Sequence, residues 1–167
     1  MKRIVLTLLV FLPCLFAENG VQCETVGGTI MTNFLDQTST LGVATGGLAG
    51  AVGVDVLSIA SGPNGATVFH NHHRWVTEAG DTITFADADA SAFTTPVSGL
   101  SAASYENGAQ ITGGTGRFTN ASGKLALFGA VDLDHGQIVL RYSGQVCFQP
   151  GRGGALLFKS EITRDAN

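Results

Sequence analysis

The chain has 167 residues, 44% of them hydrophobic and 13% charged, with a formal net charge of −4 at pH 7. That length suits one domain with a core of its own, and the apolar content can offset chain entropy, which argues against a disordered polypeptide. An acidic chain without basic clusters argues against nucleic acid and anionic membrane as partners.

Met1–Ala17 places Lys2 and Arg3 ahead of an apolar run that ends in a small residue, the layout of a secretory signal peptide. The run is short for a helix spanning a bilayer, which weighs against the other reading, a retained anchor. Cleavage is expected after Ala17, although Leu15 is larger than the residue usual at that position. Cys14 follows Leu12 and Pro13 and is not placed as in a lipoprotein signal. The chain therefore divides into a leader, residues 1–17, and one domain, residues 18–167, exported to the periplasm or the cell exterior. Without Lys2 and Arg3 the net charge falls to about −6, and no membrane contact is expected once the leader is removed. Cys23 and Cys147 remain. In an exported chain they are most simply a disulfide joining the first strand to the last long one, with two buried free thiols as the alternative.

Cys23–Phe34 reads as a first strand and Leu35–Thr40 as a polar connection. Leu41–Ser61 reads as one long β segment, its glycines at 42, 46, 47, 50 and 53 too many for a helix interior and suited to bulges and bends. Gly62-Pro63-Asn64-Gly65 is a hairpin signal, Ala66–Glu78 the next strand, Ala79-Gly80-Asp81 its turn and Thr82–Ala90 the antiparallel return. Ser91–Ser101 reads as a loop, and Ala102–Thr112 leads into a compact corner built on Gly113, Gly114, Gly116 and Gly123. Beyond it, Leu125, Leu127, Val131 and Leu133 share one face of a strand. Asp134-His135-Gly136 turns the chain, and Ile138, Leu140, Tyr142, Val146 and Phe148 line one face of the next strand. Gly151–Gly154 breaks the pattern and Ala155–Ile162 reads as a final edge strand. No sustained helical period, repeat or second domain is visible. Seven or eight strands joined mainly by hairpins predict an all-β fold, a single closed antiparallel β-barrel whose closure removes exposed edges.

The corner TGGTGRFTNASGKL resembles the GGTGxFxxAxG corner of allene oxide cyclase-like and dirigent-like β-barrels, and YSGQVCF resembles the closing strand of their secreted bacterial relatives. The resemblance covers most of the domain in pattern but only those two stretches in motif. It implies an eight-stranded barrel and a homotrimer. In allene oxide cyclases a glutamate and a tyrosine in a mostly apolar cavity are thought to steer a cyclisation, and in the dirigent group acidic pocket residues are implicated. No residue of this chain matches those sites by motif, so none is carried over.

The densest polar cluster is Phe69–Trp75, FHNHHRW. Alternation puts Phe69, Asn71, His73 and Trp75 on one face and His70, His72 and Arg74 on the other. Large aromatics belong inside, so the first set, with Phe85 from the returning strand, comprises the candidate ligand-binding residues. His70, His72 and Arg74 then face outward or into a subunit interface. Asp87 and Asp89 share the face of Ile83 and Phe85 across the hairpin, which puts one of them in a position to oppose His73 or Asn71, and Tyr105-Glu106 stands just before the corner. The catalytic candidates are therefore His73, Asp87, Tyr105 and Glu106. The alternatives are a core histidine satisfied by a partner and aspartates at a solvated strand end.

His70 and His72 at i and i+2 invite a metal reading with Glu78, but Glu78 lies about 20 Å further along the strand. No metal and no cofactor is expected. The corner joins two strands and opens no helix, so it is no nucleotide loop, and no nucleophile elbow is present. Asn120-Ala121-Ser122 is a formal glycosylation sequon. Two function classes follow: a barrel that binds a small apolar molecule or serves structurally, and a cyclase, isomerase or dirigent-type guide acting on such a molecule.

Overall fold

The computed structural model describes residues 20–149; the leader and the expected final strand at Ala155–Ile162 lie outside them. Ten β segments follow in order: β1 (Gln22–Phe34), β2 (Ser39–Ala44), β3 (Gly50–Ser61), β4 (Thr67–Thr77), β5 (Thr82–Phe85), β6 (Ala88–Thr94), β7 (Leu100–Ser104), β8 (Ala109–Gly114), β9 (Ser122–Asp132) and β10 (Gln137–Phe148). β4 pairs with β5 through Arg74–Val76 and with β6 through Thr67–Asn71, so β5 and β6 are one strand interrupted at Ala86-Asp87. β9 likewise pairs with both β7 and β8, which form one strand interrupted at Tyr105–Gly108. Eight strands thus run up and down, and β10 closes the ring on β1 from Gln22↔Phe148 to Asn33↔Gln137. Every pairing is antiparallel and every strand has two neighbours, so among the described residues the ring has no unpaired edge strand.

Three boundaries differ from the sequence reading. Leu41–Ser61 is a hairpin, β2 and β3, turned at Thr45–Ala49. The Ser91–Ser101 stretch is mostly strand, with a loop only between Thr94 and Leu100. In both places glycine or small residues hide the period-2 pattern that separates strand from turn. The third is Leu133, which is exposed beyond the end of β9 while Leu125, Leu127 and Val131 point inward.

The interior divides into two halves. At one end Val26, Leu48, Trp75, Ile83, Phe85, Ile111, Phe118, Leu125, Tyr142 and Val146 form a packed core. Two tight turns plug that end, and they are built alike. In each a threonine in extended backbone, Thr45 or Thr115, precedes a glycine at positive φ, Gly46 (84°) or Gly116 (54°), and a buried apolar residue follows, Leu48 or Phe118. Positive φ is what glycine adopts without a Cβ clash. Thr45 N donates to Thr29 O (2.8 Å) and Thr115 N to Thr82 O (3.0 Å). In return Thr29 N donates to Thr45 Oγ1 (3.2 Å) and Thr82 N to Thr115 Oγ1 (2.9 Å). A Cβ at Gly28 would overlap the Thr45 carbonyl, which is why β1 can pass so close beneath the first corner. Tyr142 fastens that corner from inside: its hydroxyl accepts from Leu48 N (2.9 Å) and donates to Thr45 O (2.7 Å). The Trp75 indole N–H donates to Leu48 O (2.8 Å), so the corner's inner carbonyl is also paired.

Cys23 and Cys147 face each other across the closing seam and form a disulfide. Among the described residues no helix is long and apolar enough to cross a membrane.

Candidate functional site

The other half of the interior is a cavity of about 80 Å³. Its lining runs down β4 as Phe69, Asn71, His73 and Trp75 and around the ring through Thr40, Val54, Ala90, Ala103, Tyr105 and Leu127. The lining is buried at the Trp75 end and half-buried at Phe34, Val56, Phe69, Ala92 and Ile138, where the cavity meets solvent. Small side chains at Ala90, Ala92 and Ala103 leave the space that β6 and β7 would otherwise fill.

Three polar side chains meet at the floor. Asn71 Nδ2 donates to Tyr105 Oη (3.2 Å), and Tyr105 Oη lies 2.9 Å from His73 Nε2. The rings of His73 and Tyr105 are 5.3 Å apart, and Phe85 packs against His73 at 5.9 Å and Trp75 at 5.8 Å. Asn71 and His73 reach this place through strand alternation. Tyr105 reaches it because the interruption before β8 starts with its buried side chain, while Gly108 N turns back to Tyr105 O (2.9 Å). Bulges that re-aim a side chain commonly stand beside functional sites. Burial pushes the His73 imidazole down to about 4, with His72 adding to the shift and Asp87 opposing it. Burial also pushes the Tyr105 hydroxyl up to about 12, which its bond from Asn71 partly offsets. Both groups are neutral at pH 7.

A consequence is measurable. Because the folded-state pKa of His73 lies below its unfolded value of 6.5, the unfolded chain binds the extra proton between about pH 6.5 and 4. The stability from neutral His73 is complete above pH 6.5 and falls by about 3 kcal/mol as the pH drops to 4. Urea unfolding across that range, compared with His73→Phe, should show this loss in the parent and its absence in the variant. Equal slopes would refute it.

Of the expected site residues, the structure brings Phe69, Asn71, His73, Trp75 and Tyr105 together around the cavity, with Phe85 behind His73. It places Asp87 and Glu106 elsewhere. Ile83 and Phe85 point inward, but the extra residue at Ala86-Asp87 shifts the alternation, so that Ala90 and Ala92 face in and Asp87 and Asp89 face out. Neither aspartate opposes His73 or Asn71. Asp87 Oδ1 holds His72 Nδ1 and Asp89 Oδ1 holds His70 Nδ1, each at 2.7 Å, and Arg74 Nε donates to Asp55 Oδ2 at 2.8 Å. The outer face of β4 is thus engaged in side-chain hydrogen bonds within its own chain. Glu106 is exposed and meets only the Ser91 hydroxyl, at 3.5 Å. Among the described residues no three His, Cys, Asp or Glu side chains come together as metal ligands.

No family model and no curated protein matches the chain. Among solved structures the chain is similar to a pterocarpan synthase dirigent protein, at 16% identity and a TM-score of 0.35, over 80% of this chain and 89% of that one. The closed eight-strand barrel follows from the pairings given above.

Proposed function

We propose that this barrel is a secreted protein that takes a small apolar molecule into its half-open cavity and does no chemistry on it. The observation that carries this reading is the lining. None of its residues bears a formal charge at neutral pH, and most are Ile, Leu, Val, Phe or Ala. A general acid or base needs a pKa near the working pH, and neither His73 nor Tyr105 has one. Secretion is supported by the leader's layout and by the Cys23–Cys147 bond. The enclosed space of about 80 Å³ is roughly half the 150 Å³ that admits benzene, so the ligand is slim, an unbranched chain before a ring.

Trp75 is the only tryptophan and lines the cavity, so its fluorescence reports occupancy directly. Titration with unbranched alkanes from butane to heptane should change it, with affinity rising up to about fourfold per added CH₂ until the enclosed space is filled and levelling off for carbons left at the mouth. Ala103→Leu, which fills the space from β7, should abolish the response. Affinity indifferent to chain length, or unaltered by Ala103→Leu, would refute the reading.

The hydrogen-bonded Tyr105–His73 pair favours a second reading, a cyclase, isomerase or dirigent-type guide that folds an apolar substrate against the walls and works mainly by orientation. A product stereochemistry identical with and without the protein would exclude it.

A further inference from the structure

The polar floor has bonds to spare. Tyr105 Oη accepts from Asn71 Nδ2, and its single hydrogen has one acceptor in reach, His73 Nε2. The neutral imidazole therefore carries its proton on Nδ1. That N–H has no partner, and neither has Asn71 Oδ1. Both side chains are buried cavity-lining residues on the inward face of β4, two positions apart. Buried polar groups seldom stay unpaired, and here a donor and an acceptor on neighbouring inward positions of one strand both lack a partner. Thr40 Oγ1 is also unpartnered, but Thr40 sits two strands away from His73, about 10 Å off at the usual strand spacing, beyond the reach of the same group.

We infer that the ligand of this cavity is a neutral, unbranched alcohol, seated with its hydroxyl between Asn71 and His73 and its chain running to the mouth at Phe34 and Ile138. A hydroxyl is the head group that accepts one hydrogen bond and donates another, as His73 Nδ1–H and Asn71 Oδ1 require. A carboxylate finds no cation in the lining and an ammonium finds no anion, so either would be a charge buried without a counterion. The enclosed space of about 80 Å³ takes only the first carbons of such a chain, and the rest runs out through the half-buried mouth, about 13 Å along the strand from His73 to Phe69. This inference rests on the cavity being a binding site, and its test separates the two.

The fluorescence of Trp75 is titrated with 1-octanol, octane, octanoate and octylammonium at pH 7. Octanol should bind at least about 100-fold more tightly than either ion. In the Asn71→Leu/His73→Phe double variant the ratio of octanol to octane affinity should fall at least about tenfold, because the hydroxyl then meets apolar side chains. The ratio is insensitive to a general loosening of the cavity, and the comparison of head groups on the unaltered protein needs no variant to fold. Octanoate binding as tightly as octanol would overturn the inference, and so would an unchanged ratio in the double variant. If octane binds and octanol gains nothing from the floor, the inference fails and the apolar binding site stands. If neither binds, both fail.

Discussion

Replacing Cys23 and Cys147 by serine together should cost about 5 kcal/mol. The bond closes a loop with a sequence separation of 124, and in the chain-entropy account a loop of that size restricts the unfolded ensemble by about that amount. The native state loses little by comparison. β1 and β10 remain paired along their whole length without the sulfur link, so the barrel's far-UV circular dichroism should be unchanged at low denaturant. Total stabilities of small domains run to about 5–15 kcal/mol, so the loss takes a large share. Urea midpoints of the parent and the double serine variant give the difference, and reduction of the parent should reproduce it. A difference below about 1 kcal/mol would mean that the unfolded chain is already compact at this seam.

Phe118→Ala should cost about 3–5 kcal/mol, the range for emptying a large buried aromatic site. Phe118 is 1% exposed and plugs the closed end of the barrel from the second corner. Its ring packs 5.7 Å from Phe148, and the Arg117 guanidinium lies over both rings, at 5.1 and 5.0 Å. The corner backbone is held by Thr115 and Thr82 independently of the ring, so little of the space can collapse and the upper part of the range is expected. Thermal unfolding at neutral pH measures it. Because Phe118 stands at the opposite end of the interior from the cavity mouth, alkane binding by the folded variant should persist.

The strands with strong alternation were legible in the sequence. β4 is the clearest: Asn71, His73 and Trp75 inward, His70, His72 and Arg74 outward, as period 2 requires. Closure into a barrel followed from turn signals and the need to hide edges. The cavity was half legible. Asn71, His73 and Tyr105 could be named as polar residues near a core, but alternation projected Asp87 inward past Phe85, and one added residue reversed it. A bulge is a two-against-one mismatch between strands, so it leaves a signal in the pairing and only a faint one in the sequence of either strand. Glu106 was misplaced for a related reason. Its neighbour Tyr105 takes the inward position at the start of the interruption, and the next residue faces solvent. The cavity's emptiness was the least legible part, since it depends on Ala90, Ala92 and Ala103 meeting from separate strands. The first corner also escaped notice, although Thr45-Gly46-Gly47-Leu48 and Thr115-Gly116-Arg117-Phe118 share a pattern of threonine, glycine, any residue and a buried apolar side chain.

Those two corners stand four strands apart in a ring of eight, so a half-turn about the barrel axis carries one onto the other. β1–β4 and β5–β10 are two half-shells that meet along two seams, β4 against β5 and β6, and β10 against β1. Only two covalent links join them among the described residues: the peptide through the Ala79–Asp81 turn and the Cys23–Cys147 bond, on opposite sides of the ring. Gly80 is exposed in its turn, the kind of site where proteases cut. A backbone nicked there should stay one particle held by sulfur, running as one band on a non-reducing gel and as two after reduction. The molecule is built as a clasp with two independent catches, and either one alone keeps its halves at the effective concentration that pairing needs.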